Sequence, residues 1–123
     1  MGPVKAVFDT NILVDYLNGH QEAAEELRRY SELVISRITW IEVLAGASPE
    51  EEIETRRFLR LFTIQELTAN IAETTLAIRR ERRHRLPDAI ILATAHLLGC
   101  LLVTRNTKDF DSRSPEIRVP YRI

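Results

Sequence analysis

The sequence is poor in the residues that staple or cage small proteins. Cysteine occurs once in 123 residues, which excludes an intramolecular disulfide, and a lone thiol suits a reducing compartment. Cys100 sits in the apolar run Leu97 to Leu102, so we expect it to pack as a small buried hydrophobe. Histidine is nearly as scarce, and His20, His84 and His96 have no ligand-like spacing, so zinc is not expected. An excess of either charge is missing too: 17 basic residues face 18 acidic ones, for a net charge of −1. Composition alone therefore gives no reason to expect a nucleic-acid partner. No apolar run reaches the ~20 residues that a spanning helix needs, and the first residues, Met1 to Lys5, carry no apolar signal core. The expectation is a cytoplasmic protein without a membrane partner.

What is present is ordinary globular material, 45% hydrophobic and 28% charged, enough to build one core in one domain over residues 1–123. Val4 to Phe8 is a short apolar strand ending at Asp9, and helical spacing follows from Asn11 to Leu17. A helix over Gln21–Tyr30, a buried strand over Leu33–Ser36 and a helix capped by Thr39 and running to Ala45 continue the alternation. Pro49 with Glu50, Glu51 and Glu52 opens the next helix, with Ile53, Phe58, Leu59 and Leu61 as its apolar side. A short strand near Thr63–Leu67 precedes a helix capped by Thr68 and reaching His84. Pro87 restarts a helix that Gly99 ends. Leu101–Thr104 is a further strand, and Ile117–Val119 an edge strand. This order predicts a three-layer α/β fold with a mostly parallel sheet, whose ligands gather at the carboxyl ends of the strands, where Asp9 and Thr104 lie.

Several carboxylates stand where an ionised group meets apolar neighbours. Asp9 lies between Val7-Phe8 and Ile12-Leu13 and can cap the first helix, a role compatible with binding a metal. Glu42 lies within Thr39-Trp40-Ile41-Glu42-Val43-Leu44, either buried with a partner or on a solvent-facing stripe with Thr39 and Gly46. Asp88 opens the apolar helix Ala89 to Ala95, where the helix dipole should keep its pKa low. Asn106 and Asp109 follow a strand in a polar segment, as turn residues or as part of a site. Converging carboxylates need a cation, and hard oxygen ligands suit magnesium or manganese.

Four ordered segments carry a resemblance: Val7-Phe8-Asp9-Thr10-Asn11-Ile12-Leu13-Val14-Asp15, Ile38-Thr39-Trp40-Ile41-Glu42, Leu86-Pro87-Asp88-Ala89-Ile90-Ile91-Leu92-Ala93-Thr94-Ala95, and Val103-Thr104-Arg105-Asn106-Thr107-Lys108-Asp109-Phe110. Together they resemble the motifs of PIN-domain proteins, and more narrowly the VapC toxins of toxin–antitoxin pairs, over essentially the whole chain. The resemblance implies an acidic centre of Asp9, Glu42 and Asp88, supported by Thr10, Asn11 and Thr104. Some relatives are acidic where this chain has Asn106, which leaves Asp109 as the fourth carboxylate. It further implies a PIN-like fold, magnesium-dependent RNA cleavage leaving a 3′-hydroxyl and a 5′-phosphate, a VapB-like antitoxin partner and a homodimer.

On that reading Asp9 and Asp88 ligate the metal directly, while Glu42 and Asp109 act through water or as a base. Arg79, Arg80, Arg82, Arg83 and Arg85 form a basic run before Asp88. They are either a solvated helix face or a guide for RNA phosphates, with Arg82, Arg83 and Arg85 as the contact candidates. The rivals are a haloacid-dehalogenase-like phosphatase, which expects a second aspartate where Asn11 stands, a receiver-type signalling domain, and a catalytically silent PIN-like RNA-binding module.

Overall fold

The computed structural model describes residues 4–123. Strands β1 (Lys5–Phe8), β2 (Glu32–Ser36), β3 (Thr63–Gln65), β4 (Leu101–Val103) and β5 (Ile117–Arg118) form one sheet in the order β3-β2-β1-β4-β5. Every pairing is parallel, with Val7 opposite Val34 on one side and Leu102 on the other. Helices α1 (Thr10–Leu17), α2 (Gln21–Leu27), α3 (Arg37–Ala45), α4 (Glu52–Leu59), α5 (Ala69–Glu81) and α6 (Leu86–Leu98) complete the chain.

Side chains along a strand alternate between faces, and here both faces are covered. Ala6, Phe8, Ile35 and Val103 pack with Ile12, Leu13, Leu27, Val43, Phe58 and Phe62. Val7, Val34 and Leu102 point the other way, onto Ile91, Leu92, Ala95 and Ile117. Burial on both faces explains why β1 is an unbroken apolar run.

The sheet builds outward from β1 through β2 to β3, and the chain then returns to lay β4 on the opposite side of β1. That reversal places the topological switch point of the sheet at the carboxyl ends of β1 and β4, the position at which open parallel sheets bind ligands. Asp9 and Thr104 flank it.

Several expected boundaries shift. Ser36, not Thr39, caps α3, accepting from Ile38 N at 3.3 Å, and Thr39 lies in the core. Ser48 and Glu51 exchange hydrogen bonds before α4, a reciprocal capping arrangement. Within α4 the inward stripe is Thr55, Phe58 and Leu59; Ile53 lies off that stripe and is 72% exposed, and Leu61 follows the helix and is 63% exposed. Helix α5 stops at Glu81, because Arg82 turns to extended backbone and His84 leaves the helical path to stack on Phe110 at 5.3 Å. Arg82, Arg83 and Arg85 therefore stand exposed in a linker rather than on a helix face. Gly99 ends α6 at φ 65°, left-handed backbone that strongly favours glycine. Cys100 is half-buried, and burial pushes its thiol pKa up.

Candidate active site

Asp9 ends β1 and caps α1. Its backbone N–H donates to Val103 O at 2.9 Å, so the β1–β4 ladder fixes it from the strand side. One carboxylate oxygen accepts from Thr10 N at 2.8 Å. The other accepts from the Thr104 hydroxyl at 2.8 Å and from Asn11 Nδ2 at 3.2 Å. The Thr104 hydroxyl in turn accepts from Asn11 Nδ2 at 3.2 Å and Asn106 N at 3.0 Å, which uses its full capacity of one donor and two acceptors.

These donors do not compensate the charge. Burial raises the Asp9 pKa from 3.8 to about 6 against the lowering effect of the Thr104 and Thr10 hydrogen bonds, and Asp88 and Glu42 push it further upward. An ionised Asp9 is thus electrostatically costly.

Asp88 stands in the first turn of α6 and is 5% exposed. Its Oδ2 is buried without a hydrogen-bond partner; Arg85 Nε approaches to 3.5 Å, an ion pair rather than a hydrogen bond. The expected lowering of its pKa by the helix dipole is overturned. Burial is the largest influence and leaves the pKa raised, with Asp109 adding to it and Arg85 opposing it.

Glu42 is exposed on α3, as is Gly46 at its end, so the solvent-facing reading holds for both, while Thr39, expected on the same stripe, is buried; yet Glu42 is not idle. Its Oε1 accepts from the Thr10 hydroxyl at 2.7 Å, and its charge is felt at Asp9. Asn106 is a turn residue: its Oδ1 accepts from Lys108 N at 3.1 Å and Asp109 N at 3.2 Å, while its Nδ2 donates to Asp109 at 2.8 Å. The turn brings the exposed Asp109 close enough for Asp88 to feel its charge.

The carboxylates are neighbours without forming a closed cage: among the described residues, no three His, Cys, Asp or Glu side chains converge into a ready-made metal cluster. The residues nevertheless fit a magnesium-type ion. An Asp88 oxygen without a hydrogen-bond partner, faced only by the exposed Arg85 at 3.5 Å, and a strongly desolvated Asp9 offer hard oxygen donors, and magnesium typically takes one or two carboxylates and keeps several waters.

Sequence reasoning missed three residues that adjoin this network. Asp15 on α1 is buried and accepts from Arg105 and Tyr121. The available signal was an acid set among Leu13, Val14, Tyr16 and Leu17.

Comparison with known proteins agrees with this geometry. Residues 6–114 match the PIN domain family. A chain of a toxin–antitoxin complex from Klebsiella pneumoniae is 47% identical, with 96% of this chain and 99% of that one covered at a TM-score of 0.90. A chain of DNA-bound VapBC from Salmonella typhimurium is 26% identical, with 94% and 96% covered at a TM-score of 0.78. A chain of promoter-bound VapBC2 from Rickettsia felis, 23% identical with 93% and 96% covered at a TM-score of 0.77, shares the fold. A search among curated proteins found no match. With four motifs in order, the acidic residues at the switch point of the sheet and the family match over most of its length, the chain belongs to the PIN-domain family as a nuclease toxin of the VapC type.

Proposed function

We propose that this nuclease is a magnesium-dependent endoribonuclease, with manganese as a substitute metal, that hydrolyses RNA phosphodiester bonds to a 3′-hydroxyl and a 5′-phosphate. The observation that carries the reading is the pair of buried carboxylates with uncompensated charge, Asp9 with its pKa at about 6 and Asp88 with an orphaned oxygen. Buried carboxylates whose partners leave the pKa raised are rare unless something further is bound.

Asp9 and Asp88 would hold the ion. Bound magnesium supplies an acidified water and neutralises charge at the scissile phosphate. Thr104, Asn11 and the Thr10 amide keep the Asp9 carboxylate oriented. Glu42, tied to Thr10 through one oxygen, and Asp109, whose charge reaches Asp88, would hold the ion through water, or one of them would orient the attacking water and accept its proton. Arg82, Arg83 and Arg85, exposed in the linker that leads to Asp88, draw RNA phosphates toward the carboxylates.

The toxin reading brings a cognate antitoxin, as in the complex from Klebsiella pneumoniae. A groove of about 410 Å³ lined by Val14, Leu17, Val43, Gly46 and Ala47, and edged by Glu42, suits an amphipathic helix carrying a basic residue. Exposed Leu61, Leu67 and Leu76 offer apolar area for a homodimer. No helix among the described residues is long and apolar enough to cross a membrane.

Cleavage of RNA by the purified chain in magnesium, abolished by chelator and absent on phosphate monoesters, is the expected outcome. Monoester hydrolysis without RNA cleavage would favour the phosphatase, and RNA binding without cleavage the silent module. Asn11 speaks against the phosphatase, because its amide is committed to Asp9 and Thr104. Co-purification of the native protein with a small partner, and a dimer by light scattering at micromolar concentration, test the assembly.

A further inference from the structure

Asp15 lies two turns along α1 from Asp9, 3% exposed. Its oxygens accept from Arg105 Nε at 2.7 Å and Nη2 at 3.0 Å, and from the Tyr121 hydroxyl at 2.8 Å. Both Arg105 and Tyr121 are remote in sequence, so this cluster ties α1 to the loop after β4 and to the C-terminal segment.

Arg105 directly follows Thr104, and its backbone N–H donates to Asn11 Oδ1 at 3.0 Å. That bond settles which way the Asn11 amide points. With Oδ1 turned to Arg105, Nδ2 faces the Asp9 carboxylate and the Thr104 hydroxyl, both at 3.2 Å. An amide without such an anchor can rotate and present its oxygen to Asp9, where two acceptors would repel.

We infer that Asp15, Arg105 and Tyr121 form a clamp that positions Asn11 and Thr104, and through them sets the Asp9 carboxylate for metal binding. The functional consequence rests on the proposed metal reading; the positioning itself does not. None of the three touches substrate or metal. They are positioning residues of the kind whose loss costs about 10–100-fold in metal affinity.

The molecule contains its own control. Glu26 accepts from Arg118 Nε at 2.6 Å and Nη2 at 2.8 Å, and from the Tyr30 hydroxyl at 2.8 Å. This second cluster has the same chemistry but joins α2 to β5. Among the described hydrogen bonds its link toward the site is Thr104 N to Arg118 O at 3.0 Å, a bond that the pairing of β4 with β5 holds in place without the side chain, whereas the Arg105 N–H lies in the loop after β4 and depends on the Asp15 contact for its place.

The test uses the full chain, with Tyr121→Phe and Arg105→Gln set against Tyr30→Phe and Arg118→Gln. Two readings are taken: magnesium affinity by calorimetry, and the resonances of the Asn11 side-chain amide and the Thr10 N–H in chelator, by nitrogen-15 NMR. The expected result is that Arg105→Gln weakens magnesium binding by about 10–100-fold, that Tyr121→Phe weakens it less, and that both shift the Asn11 and Thr10 signals. The Glu26-cluster variants should lose comparable thermal stability while leaving affinity and those signals in place. Unmoved signals in Tyr121→Phe, or an equal response in Tyr30→Phe, would overturn the clamp. If Arg105→Gln does not fold, the tyrosine pair decides alone. If the unaltered chain takes up no magnesium, the metal reading fails, and the NMR comparison still decides the clamp.

Discussion

Four carboxylates are buried among the described residues, and they divide into two pairs. Asp15 and Glu26 each receive a two-pronged arginine and a tyrosine hydroxyl, and both pKa values are lowered, because these bonds outweigh the opposing effect of burial. Asp9 and Asp88 are buried to the same degree, yet their pKa values are raised, by burial above all. Depth does not distinguish the pairs; compensation does. A buried charge that the fold satisfies is a fastening, whereas one that it leaves unsatisfied is held for something from outside.

The most severe way to test this contrast is to remove the uncompensated charges. Asp9→Asn or Asp88→Asn should lower RNA cleavage by about 10²–10³-fold or more while the protein remains folded. Magnesium should raise the melting temperature of the unaltered chain and raise that of either variant less, since only binding to the folded state stabilises. Full activity in either variant would remove the proposed centre.

Breaking the compensated pair should act on stability instead. Arg118→Ala leaves Glu26, whose side chain is 4% exposed, with only the Tyr30 hydroxyl and the longer Arg29 pair at 3.6 Å, and the loss is expected to cost about 2–3 kcal/mol, or roughly 10 °C in melting temperature for a chain of this size. Magnesium dependence should be unchanged. A loss below about 1 kcal/mol would mean that solvent, not Arg118, satisfies Glu26.

The pairs should also respond oppositely to pH. Asp9 binds its proton more tightly folded than unfolded, so stability falls as pH rises from about 3.8 to about 6. For Asp15 and Glu26 the sign is reversed, and their contribution is present above the unfolded carboxylate pKa and lost as pH falls below it. The stability of Asp9→Asn relative to the unaltered chain should therefore improve by about 3 kcal/mol between pH 3.5 and pH 7.5 in chelator. A pH-independent difference would show that Asp9 is an ordinary cap.

The uncompensated pair was the more legible in sequence. Asp9 and Asp88 stand at the edges of apolar runs, and the parallel sheet follows from strands apolar on both faces. The fastening at Asp15 was hidden because its partners lie 90 and 106 residues away, and no local pattern encodes such a pairing. For Glu42 the flanking Trp40, Ile41, Val43 and Leu44 left burial and exposure equally open, and Ile41 is itself 48% exposed: α3 is apolar on its outer side too, so local hydrophobicity does not report depth there. For Asp88, the dipole argument gave the wrong sign because it omitted burial. Ile53 and Leu61 misled similarly, being apolar residues outside the inward stripe of α4.

The smallest expected effect concerns the basic linker. Arg82 and Arg83 are exposed and make no ion pair among the described residues, whereas Arg56 and Arg57 on α4 pair with Glu52 and Glu54 at 2.9 and 2.7 Å. A phosphate that meets a free arginine releases a counter-ion, and one that meets an arginine already paired must first displace a carboxylate. Binding of single-stranded RNA in chelator, measured across a salt series, should therefore show a slope reduced by about 0.7 for each of Arg82→Ala and Arg83→Ala. Arg56→Ala and Arg57→Ala should leave it unaltered. Equal slopes in all four variants would return the linker arginines to a solubilising role and separate RNA delivery from the carboxylate centre.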